Sequence, residues 1–401
     1  MEGNKIIAIS GQPVTGKGTT VKAIKKILLE QGYSEEKIHI ITTGHEFRNY
    51  FNAISEFIRN HNDSEGLERL SQDPYLRIFS EKQEYRDILI DTILKLRRKN
   101  IDTSNLSIEE ANNLKEFSDL RKVVDTIIDT GIAEMGEEIN ATPRPGEIWL
   151  IDSRLAFHNI PSAFSVRLTS TPQVAAERLF NDNNRGKEDN TYANVQEALK
   201  AREKRRIGEQ KRYIERYGID LENEENYDLI IDTSYATIEE ISSTILKCLD
   251  YYMERKYFSK KWTSPKTLLP LQDEMDTIRS GFSSGKKLEE IEEDIKVNGF
   301  LPNRPIEIIE VDGYKYIIEG HHRNFASAHL NKTLVPYEII AKDDEKIPGY
   351  SGGTARQRAQ SLKNYFLYGH EGFIGEKFSY KEVYPEIYEM LTPKKTVPED
   401  R

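Results

Sequence analysis

Cysteine is almost missing from this chain: Cys248 stands alone among 401 residues. One thiol builds neither a disulfide framework nor a thiolate metal centre, which excludes disulfide-stapled scaffolds and zinc fingers. Its place in the apolar stripe of a helical pattern reads as core filling in a reducing compartment, and the expected location is cytoplasmic. No apolar run approaches the ~20 residues that a membrane-spanning helix needs, so no membrane partner is expected. The first strand pattern starts almost at Met1, leaving no visible secretory leader. Positive charge is not in excess either. Lys and Arg number 57 against 67 Asp and Glu, a formal net charge of -10. That balance argues against a general nucleic-acid-coating role but leaves room for a local basic patch. Internal repeats and low-complexity tracts are missing too.

What is present is a regular alternation. KIIAIS (Lys5–Ser10), KIHIIT (Lys37–Thr42), EIWLID (Glu147–Asp152), FSVRLTS (Phe164–Ser170) and YDLIIDTS (Tyr227–Ser234) read as short strands. Helical patterns lie between them, from TVKAIKKILLEQG to the closing TIEEISSTILKCLDYY. Strands alternating with helices predict a parallel sheet with helices on both faces. Residues 65–141 read as almost wholly helical and highly charged, with a capped helix start inside NIDTSNLSIEEANNL; their charges read as solvated helix faces. The length suffices for two cores and a helical appendage. Composition changes over Lys256–Pro270, taken as a linker between a first domain at residues 1–255 and a second at residues 265–342. In the second, Val311-Asp312-Gly313-Tyr314 predicts a tight hairpin between alternating strands, which makes this a small α+β domain. Residues 343–401 are expected to form a helical extension.

Two stretches carry chemistry. The first is GQPVTGKGTT (Gly11–Thr20), set between a strand and a helix. Gly11, Gly16 and Gly18 let backbone N–H groups of the loop, with those of Thr15 and Thr20, turn inward around a phosphate. In such a loop Lys17 would reach the β and γ oxygens of a nucleotide, and Thr19 can hold Mg²⁺; the plain structural alternative is a tight strand–helix turn. The positive end of the following helix adds to the cradle.

The spacing GKGT, rather than GKT or GKS, resembles the nucleoside-monophosphate kinases. Further segments resemble the archaeal-type cytidylate kinases in the same order: TTGHEFR (Thr42–Arg48), WLIDSRLA (Trp149–Ala156), RLTSTPQVAAERL, and EQKRYIERYGIDL followed by YDLIIDTS. Together they cover about residues 5–250. The resemblance implies an α/β P-loop NTPase fold and the cofactors ATP and Mg²⁺. It implies that Arg48 and Arg154 grip an acceptor phosphate and that Asp152 stands near the metal or the acceptor. Arg178, Arg185, Arg202, Arg205 and Arg212 become lid candidates, since phosphoryl transfer is chiefly positioning and charge neutralisation and arginine forks match phosphate oxygens. Other charges of KAREKRRIGEQKR read as a solvated helix face. The chain departs from that family in three places: Val14 occupies a position usually held by glycine, the region between Arg48 and Asp152 is long, and NDNNRGKEDNT makes an unusual lid. The long region leaves the acceptor open among CMP, dCMP, another nucleotide and something larger.

The second stretch is IIEGHHRNFASAHL (Ile317–Leu330), with three readings. A metal site fits poorly, because adjacent His321 and His322 diverge and no cysteine is near. A histidine satisfied by backbone carbonyls is the plain structural alternative. The third is a phosphate cradle: a strand ends in Gly320 and a helix starts at once, so free N–H groups, Arg323 and a histidine face one spot. Around it, residues 265–342 resemble the ParB/sulfiredoxin-like domain, and EGHHR resembles the DGHHR loop of nucleotide-dependent free-serine kinases. That resemblance implies a second nucleotide at Glu319, Gly320, His321, His322 and Arg323, with Glu319 as the loop's acid and Asp273 or Glu274 as a second one. His321 stands where sulfiredoxin needs a reactive cysteine, so the reductase reading fails. No basic helix-turn-helix is recognisable after Lys342, which disfavours genome partitioning.

The expected activity is therefore phosphoryl transfer to a nucleoside monophosphate, CMP or dCMP first. The alternatives are a kinase for a non-nucleotide hydroxyl such as free serine, and a nucleotide-sensing or DNA-modification accessory protein with little turnover.

Overall fold

Each strand of the amino-terminal alternation is short, apolar and bounded by turn residues, and each forms where that pattern places it. The computed structural model describes residues 5–60, 69–101, 114–142, 144–181, 192–269, 288–349 and 353–360. Arg185, Asp273, Glu274, most of the lid segment, most of NIDTSNLSIEEANNL and residues 361–401 lie outside them. Contacts divide the chain into two units, Met1–Ser165 with Pro172–Tyr227, and Val166–Thr171 with Asp228–Arg401.

The first unit opens with β1 (Lys5–Gly11), buried along nearly all its length, as a central parallel strand must be. Next come α1 (Lys17–Glu30), β2 (Ile38–Thr42) and α2 (Thr43–Asn60). α1 buries Thr20, Val21, Ile24 and Leu28, the i, i+3, i+4 rhythm of one apolar face. The charged region supplies α3 (Arg77–Glu81), α4 (Gln83–Arg98) and α5 (Ser118–Ala141). It has a core of its own, in which Phe51, Phe79 and Phe117 are fully buried with Ile54, Leu70 and Leu89. Burying each such side chain contributes about 1.5–3 kcal/mol towards holding the helices together beneath their charged faces.

β3 (Ile148–Asp152) pairs in parallel with β1 and β2, in the order β2-β3-β1. In that register Asp152 lies opposite both Ile9 and Thr42. The carboxyl ends of the three strands are therefore level, and the loops after them meet at one edge, where ligands bind in open parallel sheets. α6 (Ala156–Asn159) and β4 (Phe164–Thr169) follow, then α7 (Pro172–Asn181) packed along α8 (Val195–Tyr217). α8 starts at Asn194, whose side chain accepts from Glu197 N at 3.0 Å while the Glu197 carboxylate accepts from Ala193 N at 2.7 Å. This reciprocal cap fixes the helix register. Gly218, at φ 68°, ends the helix in the left-handed conformation that glycine adopts without strain.

The second unit contains most of β4, then β5 (Leu229–Asp232), α9 (Ile238–Met253), β6 (Lys261–Thr263), β7 (Leu268–Leu269), α10 (Leu288–Asn298), β8 (Ile306–Val311), β9 (Tyr314–Glu319), α11 (His321–His329) and β10 (Val335–Lys342). The strand order is β4-β5-β6-β10-β8-β9-β7. Residues 256–264, set between the two expected domains, are more than a connection. β6 pairs in parallel with β5 on one side and antiparallel with β10 on the other, and Trp262 is buried. The expected hairpin joins β8 and β9, with Asp312 at φ 51° and Gly313 at φ 81°, the two positive values that a tight I′-type turn requires. Neighbours Ile308 and Ile309 belong to different apolar clusters, so both faces of this sheet are covered. Cys248 is buried in α9 as core filling, and burial pushes its thiol up to about 12. Among the described residues no helix is long and apolar enough to cross a membrane.

Candidate functional site

The loop from Gly11 to Gly16 is shaped by backbone that ordinary residues avoid. Gly11 has φ 150° and Gly16, the residue before α1, φ 90°. Val14 has φ 61°, a left-handed conformation that costs a β-branched residue roughly 1–2 kcal/mol. Thr15 Oγ1 donates to Gln12 O at 2.9 Å and closes the turn. The Lys17 ammonium curls over the loop and donates to Gly11 O at 2.9 Å and Gln12 O at 3.2 Å. Burial, and then the neighbouring Arg154 charge, pull Lys17 down to about 8. Thr19 is exposed on the first turn of α1; Thr20 is buried, and its hydroxyl has no hydrogen-bond partner.

Asp152 ends β3 beside this turn: a Cβ built on Gly18 would lie 3.9 Å from its Oδ2. Burial raises the Asp152 pKa, opposed by Lys17, Arg154 and Arg48. The Thr19 hydroxyl and the Asp152 carboxylate are hard oxygen donors at the start of α1. Mg²⁺ is ordinarily held by one or two such protein oxygens with phosphate oxygens and water completing the shell, so the residues fit that ion. Among the described residues no group of three or more His, Cys, Asp or Glu side chains is placed to hold a metal by itself.

Arg154, two residues past β3, is gripped by Glu209 of α8. The other Glu209 oxygen accepts from Arg205 Nε at 3.0 Å. Burial works against the Glu209 charge, but Arg154 and Arg205 together hold its carboxyl below the usual range. Arg202, one turn earlier, is 4 % exposed and donates to the Gln12 side chain, while its Nε has no partner. Gln12 in turn donates to Glu222 at 2.9 Å, and Arg206 donates to the same Glu222 oxygen at 2.8 Å. Loop and helix are thus stitched together. The sequence marks Glu209 through the spacing 202, 205, 209, 212, 216, which lays one stripe along α8, whereas nothing local marks Gln12.

The remaining candidates spread outward. Arg48 is exposed on the second turn of α2, and Arg178 is half-buried near the end of α7. Arg212 is exposed, its guanidinium 5.3 Å from the Tyr213 ring. Beside it, α5 and α8 face each other through polar contacts. Arg216 donates to Asp125 at 3.3 Å, and the Tyr217 hydroxyl donates to Asp129. Burial raises the pKa of both carboxyls and of both tyrosines, Tyr213 and Tyr217.

In the second unit, Gly320 caps α11 at φ 102°, and a Cβ there would lie 3.1 Å from Arg323 Nη2 and 3.2 Å from Ile306 Cγ1. Only glycine fits this turn. Arg323 Nη1 donates to Arg304 O at 2.5 Å, and its guanidinium lies 5.9 Å from the Phe300 ring. His321 is buried, and burial, with His322 and Arg358 nearby, holds it down at about 4. It is a neutral imidazole at physiological pH. Glu319 is exposed and lies opposite Glu307 in the hairpin register.

No protein-family profile matches the chain. It is 32% identical over 127 residues to an S-adenosylmethionine-dependent nucleotide dehydratase of Lacinutrix mariniflava, covering 32% of this chain and 24% of that protein. The chain therefore spans about a quarter of that relative's length. It is 32% identical over 145 residues to the cytidylate kinase of Methanocella arvoryzae, covering 36% of this chain and 76% of the kinase. The cytidylate kinase of Methanosphaera stadtmanae is 28% identical over 145 residues, with 36% and 77% covered. Over the region that these kinases match, this chain belongs to the cytidylate kinase family.

Proposed function

We propose that the amino-terminal site transfers the γ-phosphoryl group of ATP to a nucleoside monophosphate, with CMP or dCMP as the acceptor. The observation that carries this reading is the meeting of Lys17, Asp152 and Arg154 at the level carboxyl ends of β1 and β3, in a chain that shares its family with cytidylate kinases. In the transfer, the bond from the γ-phosphorus to the ADP oxygen breaks and a bond to an acceptor phosphate oxygen forms. The products are ADP and a nucleoside diphosphate. Lys17 neutralises the β and γ oxygens, and the backbone N–H groups of Gly11 and of Thr15 to Thr20 cradle the β-phosphate. Arg48 and Arg154 hold the acceptor phosphate; Arg178, Arg185, Arg202, Arg205 and Arg212 supply lid charge. Thr19 and Asp152 would hold Mg²⁺, which when bound neutralises charge on the transferring group. The similarity to a nucleotide dehydratase supports a nucleotide as the substrate class.

In the same proposal, residues 265–342 form a ParB/sulfiredoxin-like domain in which Glu319, Gly320, His321, His322 and Arg323 bind a second nucleotide. The glycine-capped start of α11 with Arg323 beside it supports that reading. A free-serine kinase activity of this second site is the alternative.

The test is a panel of nucleoside monophosphates and free serine with ATP or ADP, run on wild type, Lys17→Ala and Arg323→Ala. The reading expects Lys17→Ala to abolish monophosphate phosphorylation and Arg323→Ala to weaken nucleotide binding by the second unit. Transfer that survives Lys17→Ala removes the first assignment. Unchanged binding in Arg323→Ala removes the second.

A further inference from the structure

Phosphoryl transfer needs several cations on one phosphate, yet cations gathered beforehand repel each other. Within the first unit, Lys17, Arg154 and Arg205 are close enough that Arg154 and Arg205 both depress the Lys17 pKa. Between Arg154 and Arg205 stands one carboxylate. Glu209 places one oxygen on Arg154 Nη1 and the other on Arg205 Nε, and only 15 % of its side chain is exposed, against 19 % for Arg154. An Arg205–Glu209 pair alone would be an ordinary i, i+4 helix pair of small energetic weight. The second oxygen makes the difference, because it ties the helix to an arginine that follows a different element, β3.

From this geometry we infer that Glu209 is a positioning residue. It holds the Arg154 and Arg205 guanidinium groups side by side, leaving their remaining N–H groups to meet the phosphate monoester of the acceptor. Glu209 touches neither substrate; it acts through Arg154. The inference rests on the kinase reading above and adds to it a residue that sets acceptor affinity.

The experiment compares wild type, Glu209→Gln, Glu209→Asp, Arg154→Ala and the double variant Glu209→Gln/Arg154→Ala, with kcat and KM measured separately for CMP and ATP. Measured at pH 6.5, well below the Lys17 pKa that Glu209 helps to raise, losing one charge-assisted anchor is expected to raise KM for CMP roughly ten- to hundredfold and to leave KM for ATP within about twofold. Glu209→Asp should recover part of the loss. The double variant should be no worse than Arg154→Ala, because both changes act on one group. Unchanged KM for CMP in Glu209→Gln overturns the inference. So do multiplying effects in the double variant, or a joint shift of both KM values with the melting temperature, the mark of a merely structural role. Absence of transfer in wild type would sink the kinase reading instead, and CMP binding by calorimetry would then decide. Weaker binding in Glu209→Gln sustains the positioning role; equal binding, or none in wild type, overturns it.

Discussion

Raising the pH through 8 should weaken the capture of ATP by the amino-terminal site while making the fold more stable, because both effects follow from one amine. Lys17 is held down to about 8 from an ordinary 10.5, first by burial and then by Arg154. In the free protein it is about half deprotonated at pH 8 and about nine-tenths deprotonated at pH 9. Since kcat/KM reports free-enzyme ionisations, kcat/KM for ATP should fall about tenfold between pH 7 and pH 9. The limb in kcat should lie at higher pH, because bound phosphates favour the charged amine. Stability runs the other way. Between pH 8 and 10.5 the unfolded chain binds more protons at this position than the folded one, so stability rises with pH across that window. Lys17 as a whole residue is only half-buried, so the full shift is discounted to roughly 1–3 kcal/mol. Initial rates from pH 6.5 to 9.5 and urea melts from pH 7.5 to 10.5 would be measured on wild type, with melts of Lys17→Met as the reference. A kcat/KM that stays flat to pH 9.5, or identical stability slopes in wild type and Lys17→Met, would show that Lys17 is not the depressed amine that binds phosphate.

Three further outcomes are expected. Val14→Gly relieves a left-handed β-branched residue, and after the entropy of the added glycine it should stabilise the protein by about 0.5–1 kcal/mol in a urea melt. Gly136→Ala should destabilise although alanine favours helices by about 1 kcal/mol, because its Cβ would lie 2.6 Å from Ile160 Cγ1, and its effect should change sign in an Ile160→Ala background. His321, held at about 4 against an ordinary 6.5, binds fewer protons when folded, so stability is lost as pH falls from 6.5 towards 4. The loss should approach about 3 kcal/mol, and paired melts at pH 7 and 4.5 should show a smaller drop in His321→Phe.

Much of this was legible because the code involved is local. Strands such as KIIAIS and EIWLID appear where their apolar runs predict them, and the GKGT turn sits between strand and helix as its glycines require. The Asp312-Gly313 hairpin is equally local, since two residues with positive φ define it. What escaped depends on partners distant in sequence. Nothing in KWT announces β6; the strand exists because β5 and β10 offer it two edges. The aromatic core of the charged helices is hidden by the charge that surrounds it, and becomes visible only when Phe51, Phe79 and Phe117 are brought together. At the site, an arginine-rich helix shows its charges but not their assignments. Arg202 faces Gln12 and Arg154 faces Glu209 only once α8 is laid beside the phosphate loop.

Phosphoryl transfer at the amino-terminal site is tested by following the label itself. Wild type and Lys17→Ala are incubated with γ-³²P-labelled ATP, Mg²⁺ and CMP or dCMP, and the products are separated by chromatography. Wild type should place the label in a nucleoside diphosphate, and Lys17→Ala should not. Label that stays in ATP, or appears only as inorganic phosphate, would contradict transfer to the acceptor.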